Sequence, residues 1–350
     1  MFNIATSKSF DEGKLKLLSN KQENLIEFIG RTRINNGIKG YVERLKLEPN
    51  MENTISISQI GTITAQIRTK KWYASQNIFI LSKKGDYEKL ISLYVVSSIN
   101  KSLRGSFSDG YGNYPTLSKL KDLVIQLPTK NNEPDFEFME NFISILEKEK
   151  IDKLDSYISV SGLKNYNLTA EEEKALYDLE NDCVEWGEFT YNTVFNKIAQ
   201  GKRLKKGDQL PGKTPFVMAG IFNTGIANYI SNPVARFPKN SITIDIFGNT
   251  FYRNYEFGAG DDTGVYWSTE KEYTKETMLF FATAMAKSVR GKFDYGTKLR
   301  SSRSLDFTMQ LPAKNKQPDY ELMQTLISAI QKLVIKDVVL YVDKKLGKSL

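Results

Sequence analysis

Two stretches of the chain carry short runs of β-branched and aromatic residues that are separated by glycine and asparagine. Runs of this kind, bounded by turn residues, predict strands, here at 54–60, 62–68, 77–82, 241–247 and 250–255. One helix is predicted after each group, over residues 86–102 and 272–289. The pattern therefore predicts two blocks of similar design, each with strands followed by a helix.

Each block closes on a further predicted strand, DLVIQLP (122–128) or DFTMQLP (306–312), followed by a Pro-Asp pair. Asp135 and Asp319 are suited to cap the N-terminus of a helix. Apolar residues at three- to four-residue spacing then predict amphipathic helices over 135–158 and 319–344. Each helix has about 25 residues and is therefore ~38 Å long.

The apolar seams of these helices suit a two-helix coiled coil. Apolar residues that remain exposed would offer a docking surface for another protein, and the alternative is that the seams only pack on each other. The candidates for partner docking are Phe142, Leu146, Leu154, Leu326, Ile330 and Leu333.

The two blocks are copies of one another. QLPTKNNEPDFEFM (126–139) matches QLPAKNKQPDYELM (310–323) at an offset of 184 residues, and shorter matches follow in the same order. Examples are LRGSF (103–107) with VRGKF (289–293) and GIKGYV (37–42) with GIANYI (225–230). Because chance does not produce so ordered a series, the chain is an internal duplication.

Copy one starts at Phe2 and copy two near Phe195, so residues 162–194 have no second copy. They form a connector, in which Thr169 and Glu172 make a capping box that predicts a short helix ending near Asp182.

Charge is distributed unevenly along the chain. The net charge is +9 over residues 1–130, −10 over 131–185, +8 over 186–316 and +1 over 317–350. Two basic blocks that flank an acidic middle indicate a polyanionic partner that touches both copies. The alternative is ordinary surface charge.

The residues that are missing argue against most hydrolytic chemistry. The sequence has no histidine and a single cysteine, Cys183, so catalytic pairings and zinc sites that use histidine are impossible. FGAGDD (257–262) resembles a methyltransferase cofactor loop, but a loop between strands is favoured because aromatic-rich runs flank it. The Pro-Asp pairs precede helices rather than forming a nuclease site. A stand-alone methyltransferase or nuclease stays the alternative interpretation.

The chain resembles the specificity subunits of type I restriction–modification systems and their type IIB relatives. The resemblance rests on the two-copy layout, on EWGEFTYNTVFNKIAQGKRL (185–204) as the opening of a recognition domain and on YGTKLRSSRSLDFTMQLP (295–312) as its close. Copy one departs from this pattern, since it lacks the opening that contains Trp186 and reads YGNYPTLSKL (111–120) at the closing motif.

The resemblance implies an α+β fold, with two pseudo-symmetric, β-rich target-recognition domains separated by two long antiparallel spacer helices. The expected divisions are a first recognition domain at 1–132, a spacer helix at 133–161, a connector at 162–185, a second recognition domain at 186–316 and a second spacer helix at 317–350.

The implied function is sequence-specific recognition of double-stranded DNA, each copy binding one half of a bipartite, asymmetric site. The subunit itself is expected to be non-catalytic, with no metal and no cofactor. Methyltransferase subunits carrying S-adenosylmethionine are the expected partners, together with a restriction subunit or a fused nuclease–methyltransferase. No signal peptide or membrane span is recognised in the sequence, and one cysteine fits the cytoplasm.

Basic and aromatic clusters are the candidates for DNA contact, because Lys and Arg bind phosphates and Arg also reads base edges. In copy one they are Arg31, Arg33, Lys39, Arg44, Arg68, Lys70, Lys71, Trp72 and Lys119. In copy two they are Lys202, Arg203, Lys205, Arg236, Lys239, Arg253, Lys298, Arg300 and Arg303.

Overall fold

The structure, a computed structural model, describes residues 2–84, 88–109 and 112–348. The chain divides into two compact units, Met1–Lys153 and Leu154–Leu350, and the division falls inside a long helix.

The first unit is rich in short strands. They are β1 Phe2–Thr6, β2 Ser9–Phe10, β3 Ile26–Ile29, β4 Ile38–Val42, β5 Thr54–Ser58, β6 Ala65–Arg68, β7 Trp72–Ser75, β8 Ile78–Lys83, β9 Thr129–Lys130 and β10 Glu133–Pro134. Its helices are α1 Lys89–Ser106, α2 Leu117–Lys121 and most of α3 Phe136–Val160. The helix predicted over 86–102 corresponds to α1, although residues 86 and 87 lie outside the described residues.

The second unit begins with the end of α3 and continues with helix α4 Ala170–Glu180. Its strands are β11 Trp186–Thr190, β12 Lys197–Gln200, β13 Pro211–Val217, β14 Ile226–Ile230, β15 Arg236–Phe237, β16 Ser241–Asp245, β17 Thr250–Arg253, β18 Phe257–Ala259, β19 Thr263–Trp267, β20 Thr308–Lys314 and β21 Gln317–Pro318. Its remaining helices are α5 Tyr191–Val194, α6 Lys275–Val289 and α7 Tyr320–Lys345.

The duplication is visible in the sheets. One antiparallel sheet has the order β1-β8-β5-β6 in the first unit and β12-β19-β16-β17 in the second. A second, mixed sheet has the orders β2-β7-β3-β4 and β15-β18-β13-β14, with a parallel pair at its centre in both units. Only the edge differs, since β2 is parallel and β15 antiparallel to its neighbour. The two copies therefore share one topology, as the sequence repeat predicts.

Each core lies between the antiparallel sheet and a helix. In the first unit Ile55 and Ile57 pack with Val95 and Ile99 of α1. In the second unit the corresponding core contains Phe281 and Met285 of α6, and both side chains are fully buried. Burial of these apolar faces is the main favourable contribution to folding.

The long helices begin as predicted. The side chain of Asp135 accepts a 2.9 Å hydrogen bond from the Phe138 N–H, and Asp319 accepts one of 3.0 Å from the Leu322 N–H. The connector helix α4 has the predicted capping box between Thr169 and Glu172. Among the described residues, no helix combines the length and the apolar character that crossing a membrane requires.

One predicted strand is wrong. DFTMQLP contributes to β20, but its counterpart DLVIQLP (122–128) is irregular backbone. The two segments differ because only one of them has a neighbouring strand. β20 is hydrogen-bonded along β11, whereas the described residues provide no strand beside 122–128. A β-prone sequence forms a strand only where another strand satisfies its backbone.

Candidate nucleic-acid interface

A left-handed turn precedes β14 in the second unit. Within Phe222–Gly225, the φ angles of Asn223, Thr224 and Gly225 are 47°, 52° and 81°. Asparagine and glycine tolerate this region, but a β-branched threonine rarely adopts it. Such a backbone persists only where the surroundings hold it in place.

The side chain of Arg253 holds this turn in place through hydrogen bonds. Its Nη2 donates a 2.6 Å hydrogen bond to the carbonyl oxygen of Thr224, and its Nε donates one of 3.0 Å to Thr243 on the sheet. Its Nη1 donates to the Tyr255 hydroxyl at 3.0 Å. The side chain is buried, and this burial lowers the pKa of Arg253.

The first unit contains the same arrangement in Ile34–Gly37, where Asn35, Asn36 and Gly37 have φ angles of 48°, 49° and 77°. Here Arg68 is buried and donates from Nη1 to the carbonyl oxygen of Asn36 at 2.6 Å. Its Nε donates to Ser56 at 2.9 Å, as Arg253 donates to Thr243. Burial lowers the pKa of Arg68 to about 10.

The last residue of each turn has to be glycine. A Cβ at Gly225 would lie 2.8 Å from the carbonyl oxygen of Met218, and one at Gly37 would lie 2.6 Å from Oε1 of Gln66. At Gly225 the contact is with backbone and cannot be relieved, whereas at Gly37 the Gln66 side chain can shift. In both turns the positive φ disfavours any residue other than glycine.

These observations correct the prediction for three residues. Arg68, Trp72 and Arg253 were expected to contact DNA, but all three side chains are buried. The indole Nε1 of Trp72 donates instead to the carbonyl oxygen of Met51 at 3.1 Å. The two arginines position the turns, and their charges are enclosed because several hydrogen bonds replace those to water.

The tips of the turns are apolar and exposed. Phe222 is 88% exposed, and Ile34 at the equivalent position of the first unit is 80% exposed. Large apolar side chains displayed on rigid loops are typical of binding surfaces. Sequence reasoning missed both residues, although they stand three positions before the matched GIKGYV and GIANYI segments.

The other predicted basic residues of the first unit are exposed, namely Arg31, Arg33, Lys39, Arg44, Lys70, Lys71 and Lys119. Lys39 pairs with Glu12 at 3.2 Å and Arg44 with Glu48. Exposed pairs of this kind contribute little and rearrange easily. Contact with the ammonium group of Lys21 lowers the pKa of Lys70, which shows a local concentration of positive charge.

In the second unit Lys202, Arg203, Lys205, Arg236, Lys239, Arg300 and Arg303 are exposed, and Lys298 is half-buried beside the ring of Tyr295. Within the described ranges no carboxylate forms an ion pair with the first three of these. Lys202, Arg203 and Lys205 directly follow β12 in the sequence.

The FGAGDD segment brings separate parts of the second unit together. The loop predicted from the sequence is shorter than expected, since Phe257–Ala259 form β18 and only residues 260–262 make the turn between β18 and β19. The Lys202 N–H donates to the carbonyl oxygen of Ala259 at 2.9 Å, and Nη1 of Arg300 donates to that of Asp261 at 2.6 Å. The carboxylate of Asp262 accepts from the Ala219 N–H at 3.0 Å, close in sequence to the tip. The backbone of Lys202, the side chain of Arg300 and the backbone of Ala219 are thus all hydrogen-bonded to this segment.

The predicted docking residues differ in exposure. Phe142, Ile330 and Leu333 are exposed, and Leu146 and Leu154 are half-buried. Leu326 is fully buried in the core of the second unit, so its prediction as a docking residue is corrected.

Within the described ranges no group of three or more Cys, Asp or Glu residues could hold a metal ion. Two copies of one fold, each with an exposed apolar tip on an arginine-held turn and with exposed cations, favour the class of DNA-recognition proteins.

Comparison with known proteins identifies the family. The model of the type I restriction modification DNA specificity domain matches residues 1–156 and 183–340, so the chain belongs to this family. The chain is 26% identical over 342 residues to the type II restriction enzyme specificity subunit S.BcgI of Heyndrickxia coagulans, covering 96% of this chain and 93% of that protein.

A solved structure shares the fold. The S subunit of a type I restriction–modification system from M. genitalium superposes with a TM-score of 0.60 at 18% identity, over 99% of this chain and 90% of that one. Family and relative together make this chain a non-catalytic specificity subunit of a restriction–modification system, which recognises DNA sequence.

Proposed function

We propose that each unit binds one half of a bipartite, asymmetric DNA site through its arginine-held tip. One observation carries the proposal: the two turns have the same backbone and the same arginine contact, but they present different side chains. The first presents Arg33 and Ile34, whereas the second presents Ile221 and Phe222. Equal geometry with unequal chemistry supports the recognition of different bases.

The residues at the tips of the two turns indicate which contacts with DNA bases each unit makes. Apolar side chains contact thymine methyl groups or insert at base steps, and asparagine amides pair with adenine. Ile34 and Phe222 supply the first kind of contact, and Asn35 and Asn223 the second. The exposed lysines and arginines around them bind phosphates and supply affinity rather than specificity.

The long helices α3 and α7 are proposed to pair antiparallel as a spacer and to bind a methyltransferase subunit, which carries S-adenosylmethionine. Exposed apolar residues on both helices, Phe142, Ile330 and Leu333 among them, support this assignment. A restriction subunit or a fused nuclease–methyltransferase would join the same complex, in the cytoplasm. The purified chain alone is expected neither to cut nor to methylate DNA.

Selection from a pool of random-sequence duplexes tests the proposal, with the purified full chain as bait. We expect enrichment of two different half-sites separated by bases that vary freely. Phe222→Ala should lower affinity for the selected duplex and change the preference in one half only. Tyr177→Ala removes another exposed aromatic ring, from the acidic connector, and serves as the control. Enrichment of a symmetric palindrome, or of no sequence, would overturn the proposal.

A further inference from the structure

Both units contain a groove at the joint between the recognition fold and its long helix, and the two grooves are lined by equivalent positions. Gln126, Ile143 and Leu146 of the first unit correspond to Gln310, Ile327 and Ile330 of the second, all at an offset of 184 residues. The groove volume is about 560 Å³ in the second unit and about 860 Å³ in the first.

In the second unit the strand β11 occupies one side of this groove. It pairs antiparallel with β20, and the ladder continues at one end with a 2.8 Å hydrogen bond from the Ala313 N–H to the carbonyl oxygen of Glu185. The ring of Trp186 stacks on Phe280, with centroids 6.4 Å apart. Glu188 accepts a 2.5 Å hydrogen bond from the Thr308 hydroxyl. An extended segment with an aromatic and an acidic residue therefore fits this groove.

In the first unit the same edge is uncovered within the part of the chain that the structure describes. Met309 and Leu311 of β20 lie opposite Phe189 and Gly187, and their side chains are buried. The equivalent residues Ile125 and Leu127 are only half-buried, and no described strand lies beside them.

The side chains around this edge are also uncovered. Val124, the equivalent of Thr308, is 80% exposed. On the long helix Phe142 is 45% exposed, whereas the equivalent Leu326 is 1% exposed. Phe142 lies edge-on against Tyr94, the equivalent of Phe280, at 5.7 Å between centroids. In the second unit the covering strand places the aromatic ring of Trp186 at this position. The first unit has exposed apolar side chains there, Val124 and Phe142.

We propose that this groove of the first unit binds an extended strand of a partner polypeptide, with an aromatic residue followed two positions later by an acidic one. Addition of a strand to an open edge satisfies the backbone groups of residues 124–127. Charge favours an acidic strand, since Lys101 and Arg104 line the groove. The corresponding groove of the second unit is lined by Lys287 and Lys292 together with Glu188.

The inference rests on the proposed function in one respect only, which is that the strand belongs to the subunit that docks on this chain. Its test does not use DNA. Failure of the groove to bind a strand would leave the duplex selection unaffected, and failure of that selection would leave the groove experiment valid.

Hydrogen exchange of the full chain, with and without a synthetic peptide VEWGEFTYN that copies residues 184–192, tests the proposal. In the free chain we expect residues 123–128 to exchange much faster than 307–312. The peptide should slow exchange at 123–128. A peptide with Ala in place of the tryptophan should bind at least about tenfold more weakly, as expected for a buried aromatic anchor.

Two variants at one exposed position provide matched controls. Val124→Thr introduces the hydroxyl that Thr308 uses to bind Glu188 in the second unit, and it should tighten peptide binding. Val124→Asp should weaken peptide binding, because its carboxylate repels the acidic residue of the peptide. The proposal is overturned if the peptide protects other segments, or if the two variants bind it equally. It is also overturned if 123–128 is already protected in the free chain, because a second copy or this chain itself then covers the edge.

Discussion

Nη2 of Arg253 lies 2.6 Å from the carbonyl oxygen of Thr224, a residue with a left-handed backbone. Arg68 makes the same contact with Asn36 in the first unit. In both cases the guanidinium joins a sheet strand to an exposed turn, and burial lowers its pKa. We therefore propose that the buried arginine supports recognition by fixing the tip rather than by touching DNA.

Arg253→Met should destabilise the protein, because the Thr224 carbonyl and the Thr243 hydroxyl each lose a hydrogen-bond donor. We expect a loss of about 1–3 kcal/mol in the free energy of unfolding. Urea denaturation measures it, and Lys213→Met, at an exposed position of β13, is the control. Affinity for the selected duplex should fall more than affinity for random duplex. Equal stability of the two variants would show that the arginine does not support the turn.

Part of this arrangement can be predicted from sequence. The repeat predicts one topology used twice, and Asp135 and Asp319 predict where the long helices begin, because caps and periodicity are local signals. The roles of Arg68 and Phe222 were missed for a physical reason. An arginine in a strand is normally solvated and a phenylalanine is normally buried. Only the folded chain shows that distant carbonyl and hydroxyl groups enclose the first, and that a rigid turn exposes the second.

The segment 122–128 shows another limit. Its sequence pattern matches that of 306–312, yet only the second copy forms a strand there. The difference comes from the partner strand, β11, which belongs to the unduplicated segment 162–194. Strand formation depends on a neighbour that the local sequence does not contain.

The ion pair between Glu172 and Lys332 predicts a pH-dependent stability of the second unit. Glu172 accepts hydrogen bonds from Lys332 at 2.7 Å, Ser328 at 2.6 Å and the Thr169 N–H at 2.8 Å. Burial works to raise the pKa of Glu172, but these hydrogen bonds outweigh it and leave the pKa below its usual value. The carboxylate therefore contributes stability above the unfolded-state pKa of about 4.3 and loses it as the pH falls through the lowered folded-state pKa.

Glu172→Gln should be less stable than the native protein near neutral pH and should lose less stability on acidification through that range. Thermal unfolding at a series of pH values measures both effects. Glu173→Gln changes an exposed neighbour in the same helical turn and should behave like the native chain. Parallel pH profiles for the native chain and Glu172→Gln would contradict the assignment.

Salt dependence tests the cationic side chains that follow β12. Replacing Lys202, Arg203 and Lys205 with glutamine should weaken binding to every duplex by a similar factor, because phosphate contacts carry no sequence information. The slope of log affinity against log salt should fall by about 0.9 for each lost contact. Lys344→Gln, in the last turn of α7, is the control. An unchanged slope would exclude these residues from the phosphate contacts.

Independence of the two units is tested by exchanging residues 195–316 for the matching domain of a relative. Both copies share joints, with Met139 and Met323 buried at the starts of α3 and α7, so a foreign domain should dock in the same geometry. The loops between the joints differ, and the bound bases should therefore change in one half-site. The other half-site and the spacing should stay the same, because the first unit and both long helices are untouched. Duplex selection with the exchanged chain measures all three properties. A change in both half-sites, or in the spacing, would show that the two copies do not recognise DNA independently.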